Sequence, residues 1–340
     1  MSGSAQDEDG ASLPLAPERA QRQGGMFKRF VRNWQKVLCA LGLAGAIAGL
    51  FLPWLTTFWL GFDVFSQFTV HFLIVTAACA IGLLLPRHSL VVAFVLVVLG
   101  GVAIGGWAML HKSDGFSKPT DGWHIRVMSF NTWLHNVDVD AIRREIMRQK
   151  PDVLGFVEFQ ADKRVLYAQL QADYPYRADC AEMPHCYLAL LSRWPVKKVR
   201  ARFLWMGPPY LHVIVNAPSG PVHVFVVHTL RFPWLGSQYK QVRAMARLVK
   251  GVKGARIVMG DFNATPFSVM LHTFIRGSGL KRQTWLPTWP AWAGPLPQLA
   301  IDHVFISPEF ERVDGPWIGD NAGSDHFPVI VTLRRRQPQP

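Results

Sequence analysis

Hydrophobic and polar positions divide the chain into an apolar N-terminal part and a longer part with a short alternating pattern. Between Lys36 and Lys112 the only formal charges are Asp63 and Arg87. A helix needs about 20 apolar residues to cross a bilayer, and three stretches that are apolar on every face reach that length. They are Val37–Leu60, Phe68–Leu85 and Ser89–Leu110. Soluble helices in a buried hairpin would each keep a polar face, so the pattern predicts three transmembrane helices over residues 37–111. Pro53 is expected to end or kink the first of them.

The basic residues near these spans predict their orientation, because Lys and Arg stay on the cytoplasmic side. Five of them precede the first span: Arg22, Lys28, Arg29, Arg32 and Lys36. The connection Gly61–Gln67 has none, whereas Pro86–His88 contains Arg87. We therefore expect a cytoplasmic N-terminal segment, residues 1–36, and an extracytoplasmic remainder after the third span. Residues 112–122 have the Gly, Pro and polar content of a tether. The expected location is a bacterial inner or plasma membrane.

From Trp123 onward the pattern changes to short β-type runs separated by amphipathic segments. The predicted strands are His124–Phe130, Asp152–Val157, Tyr187–Ser192, Val196–Phe203, Leu211–Asn216, Val222–Val227, Arg256–Met259, His303–Ile306 and Phe327–Leu333. The predicted helices are Val139–Gln149, Asp162–Asp173 and Gly236–Lys250. Strands with interspersed helices indicate one layered α/β domain over residues 123–336.

Composition and charge narrow the class of protein. Only 17% of the residues are charged, against about 25% in soluble domains, which argues against a purely soluble enzyme. The net charge is +13, and residues 112–340 hold 29 basic against 18 acidic side chains. This excess favours an anionic partner, such as phosphate, nucleic acid or an acidic membrane surface.

Eight polar residues stand where predicted strands begin or end: Asn131, Glu158, His228, Asp261, Asn263, Asp302, Asp325 and His326. Any one of them would usually be a turn former, a helix cap or a hydrogen-bonding surface residue. Strand ends that face one way converge, however, and functional residues gather on such edges. As a set, they predict a single site.

These positions lie in stretches that together resemble the endonuclease/exonuclease/phosphatase superfamily of metal-dependent phosphoesterases. The stretches are Met128-Ser129-Phe130-Asn131, Leu154-Gly155-Phe156-Val157-Glu158, Ala189-Leu190-Leu191-Ser192-Arg193, His228-Thr229, Gly260-Asp261-Phe262-Asn263, Ile301-Asp302-His303-Val304 and Gly323-Ser324-Asp325-His326. The resemblance covers residues 124–333 and implies a four-layer sandwich, two packed β-sheets between helical layers. Trp133 stands where some DNA-repair members carry an acidic residue, which disfavours an abasic-site endonuclease.

The resemblance also implies roles for the eight residues. Glu158 is the principal ligand of Mg²⁺, with Mn²⁺ as a possible substitute, and Asn131 and Asp325 complete the metal site. His326 is the general base or a phosphate-facing catalytic residue, and Asp302 fixes its tautomer. Asp261 and Asn263 orient the nucleophile and the phosphate, and His228 donates to a non-bridging oxygen. Zinc is the competing metal, but the sequence has no His/Cys cluster at zinc spacing.

Two further features leave alternatives open. Cys180 and Cys186 are the only cysteines outside the predicted spans, and they either form a disulfide in an oxidising compartment or stay reduced. The stretch Trp285–Pro297, with Trp285, Trp289 and Trp292, is either an ordinary surface loop or a lip that touches lipid or substrate.

Three functions compete on these data. The first is a membrane-tethered phosphoesterase whose partners are an anionic membrane surface and a lipid phosphate substrate, either a phospholipid or a polyprenyl carrier. The second is a tethered nuclease, which is disfavoured because tethering concentrates an enzyme near membrane substrates and not near free nucleic acid. The third, a non-catalytic binding protein, would be expected to lack one of the site residues.

Overall fold

The computed structural model describes residues 16–85, 88–115, 123–292 and 296–336. Arg87, most of the predicted tether and the first 15 residues lie outside the described residues, as does the side chain of Arg22. The chain divides into two compact units. The first runs up to Ile47 and includes Leu73–Val97, and the second comprises Ala48–Phe72 and the chain from Val98 onward.

The apolar region folds into helices that differ in part from the three predicted spans. They are α1 (Ala16–Phe51), 3-10 turns at Leu52–Thr57 and Leu60–Phe62, α2 (Asp63–Ser66), α3 (Thr69–Leu84) and α4 (Ser89–Leu110). Among the described residues, two helices are long and apolar enough to cross a membrane, Gly25–Thr57 and Ser89–Met109. The middle segment reaches span length only if Leu60–Ser66 and Thr69–Leu84, which meet at 62°, count as one. The α-helix ends at Phe51, and Pro53 stands in the first turn of the 3-10 segment that follows, as predicted.

Small side chains pack the helices of the first unit together. Cys39, Ala78, Cys79 and Ala93 form its buried cluster. Small residues let apolar helices approach closely, so this cluster is typical of a helix bundle in a membrane.

The second unit contains two sheets of six strands among its described residues. Their strands are β1 (His124–Asn131), β2 (Val153–Val157), β3 (Tyr176–Asp179), β4 (Leu188–Ser192), β5 (Val196–Phe203), β6 (Pro209–Ala217), β7 (Gly220–His228), β8 (Arg256–Asp261), β9 (Lys281–Arg282), β10 (Asp302–Ile306), β11 (Phe310–Ile318) and β12 (Val329–Arg335). The first sheet has the order β11-β12-β1-β2-β4-β3 and the second β5-β6-β7-β8-β10-β9.

Three buried clusters arrange these elements in four layers. Val127, Val153, Val224 and Ile257 lie in the core between the two sheets. Helix α5 (Val139–Gln149) and the short α6 (Leu166–Gln169) cover the first sheet, and α7 (Leu235–Gly251) and α8 (Val269–Ser278) cover the second. The predicted four-layer α/β sandwich is confirmed for this part of the chain.

The helix predicted over Asp162–Asp173 is confirmed only in part, because the helical turns end at Gln169. That segment forms a 3-10 turn at Ala161–Val165 and then the four residues of α6. Its first turn has no side-chain cap, so the first backbone N–H groups lack the partner that would favour a longer α-helix. The prediction also missed β3, β9, β11 and α8. Strand β11 lies at a sheet edge and has two register shifts against β12, which remove the regular alternation that identifies a strand.

Strand direction brings the polar strand ends together. The pairs β1/β2 and β7/β8 are parallel, whereas β10 runs antiparallel to β8 and β12 antiparallel to β1. In the first sheet, the ends of β1 and β2 therefore lie at the same edge as the beginning of β12. In the second sheet, the ends of β7 and β8 lie at the same edge as the beginning of β10. Gly260 has φ +145°, and a Cβ there would lie 1.8 Å from the Val227 carbonyl oxygen. Only glycine allows β8 to approach β7 this closely just before Asp261.

Candidate active site

The eight polar residues predicted from the sequence lie together at this edge. Asn131 connects the two sheets, because its Nδ2 donates to Asp261 Oδ2 at 3.1 Å and to Glu158 Oε1 at 3.4 Å. His228 Nε2 lies 3.8 Å from Glu158 Oε1 and 3.8 Å from Asp261 Oδ2. Residues from four strands thus meet within contact distance.

A buried carboxylate–imidazole pair stands beside them. His326 Nδ1 lies 2.7 Å from Asp302 Oδ2, and Thr288 Oγ1 donates to the same oxygen at 2.6 Å. Because the carboxylate accepts from Nδ1, the Nε2 atom of His326 faces the other site residues. It lies 3.9 Å from both Asp261 Oδ2 and Asp325 Oδ1.

Backbone conformation helps to aim these side chains. Trp133, Glu158 and Asn263 have φ values of 57°, 58° and 46°, in the left-handed region that non-glycine residues rarely adopt. Local hydrogen bonds support two of these turns. The Leu134 N–H donates to Glu158 Oε2 at 2.8 Å, and the Asn263 N–H donates to Asp261 Oδ1 at 2.7 Å. Such strained residues are typical of functional sites.

Burial and charge shift the pKa values in the cluster. Burial, reinforced by Asp302, raises the pKa of Asp261 to about 6 against the opposing effect of His326 and His228. Burial also raises the pKa of Asp325, and Glu158 adds to that effect. Burial alone would lower the pKa of His326, but the carboxylates of Asp302, Asp261 and Asp325 raise it to about 10.

The donor set fits a divalent cation. Asp325 Oδ1 is buried and finds no hydrogen-bond donor among the described residues, and four carboxylates share the site with two histidines. Asp261, Asp302 and His326 place ligand atoms within 4.8 Å of one another, but Asp302 Oδ2 already accepts from His326 and Thr288. Glu158 and Asp325 offer the carboxylate oxygen ligands that Mg²⁺ prefers. Asn131 Oδ1 accepts from the Trp133 N–H at 3.0 Å, while its Nδ2 faces the carboxylates of Glu158 and Asp261.

The site opens into a cavity of about 730 Å³. Glu158, His228, Asp261, Asp325 and His326 line its polar part. Its apolar lining comes from Val64, Phe68, Trp133, Leu134, Leu230, Phe232, Trp234, Trp289, Leu299 and Ile301. A pocket with a few converging polar groups and a largely apolar lining suits an amphiphilic ligand.

Two contributors, Thr288 and Ser324, had not been predicted from the sequence as parts of the site, and a third, Trp289, had been given only as part of the stretch Trp285–Pro297. Thr288 binds Asp302, and Trp289 Nε1 donates to Asp325 Oδ2 at 3.3 Å. Ser324 Oγ donates to the Asn131 carbonyl oxygen at 2.7 Å and accepts from the His326 N–H at 3.1 Å. Ser324 stands inside the quoted Gly-Ser-Asp-His stretch, which was its available signal, whereas a loop threonine such as Thr288 carries none.

Comparison with solved structures finds other proteins that are similar to this chain. A humanized TDP2 of D. rerio with 14 mutations aligns over 62% of this chain and 99% of its own, at 15% identity and a TM-score of 0.51. An endonuclease/exonuclease/phosphatase family protein from Bacteroides thetaiotaomicron aligns over 64% and 100%, at 15% identity and a TM-score of 0.50. An endonuclease/exonuclease/phosphatase from Beutenbergia cavernae aligns over 62% and 72%, at 21% identity and a TM-score of 0.48.

No curated protein matches the chain. The sequence model of the Endonuclease/Exonuclease/phosphatase family matches residues 128–326, which is more than half of the chain and includes all eight site residues. The chain therefore belongs to the Endonuclease/Exonuclease/phosphatase family and is a metal-dependent phosphoric ester hydrolase.

Proposed function

We propose that the protein is a membrane-tethered phosphoesterase that hydrolyses a phosphate or diphosphate ester of a lipid on the extracytoplasmic face, with Mg²⁺ or Mn²⁺ as cofactor. The observation that carries this proposal is the composition of the cavity. Its carboxylates and histidines suit a metal-bound phosphate, and Leu230, Phe232 and Trp234 provide an apolar surface beside them. A phospholipid or polyprenyl phosphate presents that combination of groups.

The geometry supports the following proposed roles. Glu158, Asn131 and Asp325 would hold the cation, which would neutralise phosphate charge. Asp261 and Asn263 orient the attacking water and the phosphate. His326 Nε2 faces the cavity, while Asp302 holds Nδ1, so this imidazole transfers a proton or donates to a phosphate oxygen. His228 contributes a second donor to a non-bridging oxygen.

One observation supports the extracytoplasmic location, and a second supports the placement of the first connection and the domain on one side of the membrane. Cys180 and Cys186 form a disulfide with a Cα–Cα distance of 5.7 Å, and disulfides persist in oxidising compartments. The connection between the first two apolar helices is hydrogen-bonded to the catalytic domain through Asp63 and Ser268. If α1, the bent middle segment and α4 are three spans, that connection and the domain lie on the same side, as the predicted topology requires.

The test is hydrolysis by the full chain in bilayer nanodiscs. The panel comprises phospholipids, polyprenyl diphosphates and DNA, each with Mg²⁺, with Mn²⁺ and with a chelator. We expect metal-dependent release of a water-soluble product from a lipid and none with the chelator. Glu158→Gln should weaken binding of Mn²⁺, measured by electron paramagnetic resonance, and reduce turnover. His326→Ala should keep most Mn²⁺ binding and lose most activity.

The matched control is Glu182→Gln, at an exposed carboxylate that pairs with Lys198; it should leave both readouts unchanged. Full activity of either site variant would contradict the assigned roles. Faster turnover of DNA than of every lipid would favour the tethered nuclease instead. That alternative has one specific observation behind it, an exposed basic surface on and near α7 formed by Arg231, Lys240, Arg243, Arg247, Lys250 and Lys253.

A further inference from the structure

The connection between the first two apolar helices is bound to the catalytic domain by buried hydrogen bonds. Asp63 is 1% exposed, and its carboxylate accepts from Ser268 Oγ at 2.5 Å and from the Val269 N–H at 2.8 Å. Ser268 is the N-cap of α8, and Val269 is its first residue. Buried carboxylates are costly unless they are hydrogen-bonded in this way, so Asp63 fixes the connection firmly on the domain.

A second set of bonds continues this contact toward the catalytic residues. The Thr265 N–H donates to Gln67 Oε1 at 2.7 Å, and Thr265 Oγ1 donates to the Ser66 carbonyl oxygen at 3.2 Å. Thr265 follows Asn263 by two residues. The connection is therefore attached to the loop that leaves the active site, and Val64 packs on the core beneath α7 and α8.

The beginning of α3 is held from another direction. His71 Nε2 lies 3.2 Å from Gln298 Oε1, and Gln298 Nε2 donates to the Gly101 carbonyl oxygen at 3.1 Å. The Gln298 N–H donates to the carbonyl oxygen of Trp289, whose indole donates to Asp325. Hydrogen bonds thus connect His71, near the beginning of α3, and Gly101 of α4 to a residue of the proposed metal site.

As a result, Val64, Gln67 and Phe68 line the same cavity as Glu158, His228 and His326. None of these three lining residues is charged, and two of them are apolar, so they offer no cation to the phosphates of a nucleic acid strand. An alkyl chain that extends from a phosphate at the catalytic cluster would instead be removed from water here.

We propose that Val64, Gln67 and Phe68 form the chain-binding wall of the active site, so that the membrane segment itself determines which hydrophobic group the enzyme accepts. This inference rests on the proposed lipid phosphate function and assigns part of its specificity to residues outside the catalytic domain. The acceptor is the part of an alkyl or prenyl chain nearest to the phosphate.

The test is binding of n-alkyl phosphates, from ethyl to octyl, to the full chain in nanodiscs with Mg²⁺, followed by tryptophan fluorescence. Burial of each methylene should strengthen binding by about twofold to fourfold. Phe68→Ala and Val64→Ala should each flatten this chain-length dependence. The matched control is Phe58→Ala, at an exposed phenylalanine of the same connection that does not line the cavity; it should keep the wild-type slope and also corrects for partition into the bilayer.

The outcomes separate this inference from the proposed function. If both wall variants keep the wild-type slope, or the wild type shows none, the wall assignment is wrong, even if lipid hydrolysis stands. If the wall variants flatten the slope but the wild type hydrolyses no lipid, the wall is supported and the lipid function is contradicted. Thermal unfolding of each variant, compared with Phe58→Ala, identifies a loss of slope that is caused by misfolding.

Discussion

His326 shares its carboxylate partner, Asp302, with Thr288. Asp302 Oδ2 accepts from His326 Nδ1 and from Thr288 Oγ1, so Thr288 keeps that oxygen in place. Thr288→Val keeps the shape of the side chain but removes the donor, and a hydrogen bond to a charged group contributes about 1.5–3 kcal/mol. We expect kcat to fall by about tenfold or more, with KM little changed. Steady-state kinetics check this, and Thr288→Ser should restore activity; an inactive serine variant would contradict a hydrogen-bonding role.

His212 predicts a pH dependence of stability away from the active site. It is buried, stacks on Phe225 at 4.0 Å between ring centroids, and its Nε2 lies 3.0 Å from His223 Nδ1. Burial, followed by His223 and Arg200, lowers the pKa of His212 from 6.5 to about 4. Between these two pH values His212 is protonated in the unfolded chain but neutral in the folded chain. The free energy of unfolding therefore falls as pH drops from about 6.5 toward 4.

At pH 5.5 this effect amounts to about 1 kcal/mol. His212→Phe keeps a ring against Phe225 and should reduce the fall in melting temperature between pH 7 and pH 5.5. The fall should not vanish, because burial also lowers the pKa of His303 to about 4. The control is His185→Asn, at an exposed histidine. An unchanged pH dependence in His212→Phe would show that His212 already binds its proton in the folded protein.

Two of the three tryptophans in the stretch Trp285–Pro297 differ in their exposure to solvent. Trp289 is partly buried and donates to Asp325, whereas Trp292 is 71% exposed. Trp289→Phe should therefore slow hydrolysis of every substrate, because Asp325 loses a donor. Trp292→Phe should leave soluble substrates unaffected, and Trp292→Ala should slow only bilayer substrates if the ring lies in the interface. Parallel assays on a nanodisc lipid and a small phosphodiester check this; equal losses for Trp292→Ala on both would contradict an interfacial role.

Some strands and site residues could be predicted from the sequence, whereas contacts between distant parts of the chain could not. Strands that are buried on both faces, such as Val153–Val157, were predicted because continuous apolar runs bounded by polar residues identify them. The eight candidate site residues were predicted because they stand at or next to strand boundaries. The directions of the strands bring these boundaries together at one edge of the domain. Asp63 could not be found in this way. Its partners Ser268 and Val269 lie more than 200 residues away, and only the fold makes that contact visible.

The proposed topology of the whole molecule has two sides. The connection between the first two apolar helices and the catalytic domain lie on one side of the membrane, and the N-terminal segment lies on the other. The bond between Asp63 and Ser268 requires the first part of this arrangement, and the basic residues before the first span predict the second. Single cysteines report on all three regions. Suitable exposed positions are Lys28→Cys, Phe58→Cys and Lys253→Cys.

An impermeant maleimide added to intact spheroplasts should label Phe58→Cys and Lys253→Cys, and Lys28→Cys only after permeabilisation. The native cysteines give little background, because Cys39 and Cys79 are buried and Cys180 is paired with Cys186; the wild type measures what remains. Labelling of Lys28→Cys with protection of Lys253→Cys would indicate the opposite topology and contradict the proposed extracytoplasmic location of the catalytic domain. Labelling of Lys253→Cys alone would indicate that the connection and the domain lie on different sides of the membrane. That arrangement is unfavourable, because the buried Asp63 carboxylate would lose its hydrogen-bond donors.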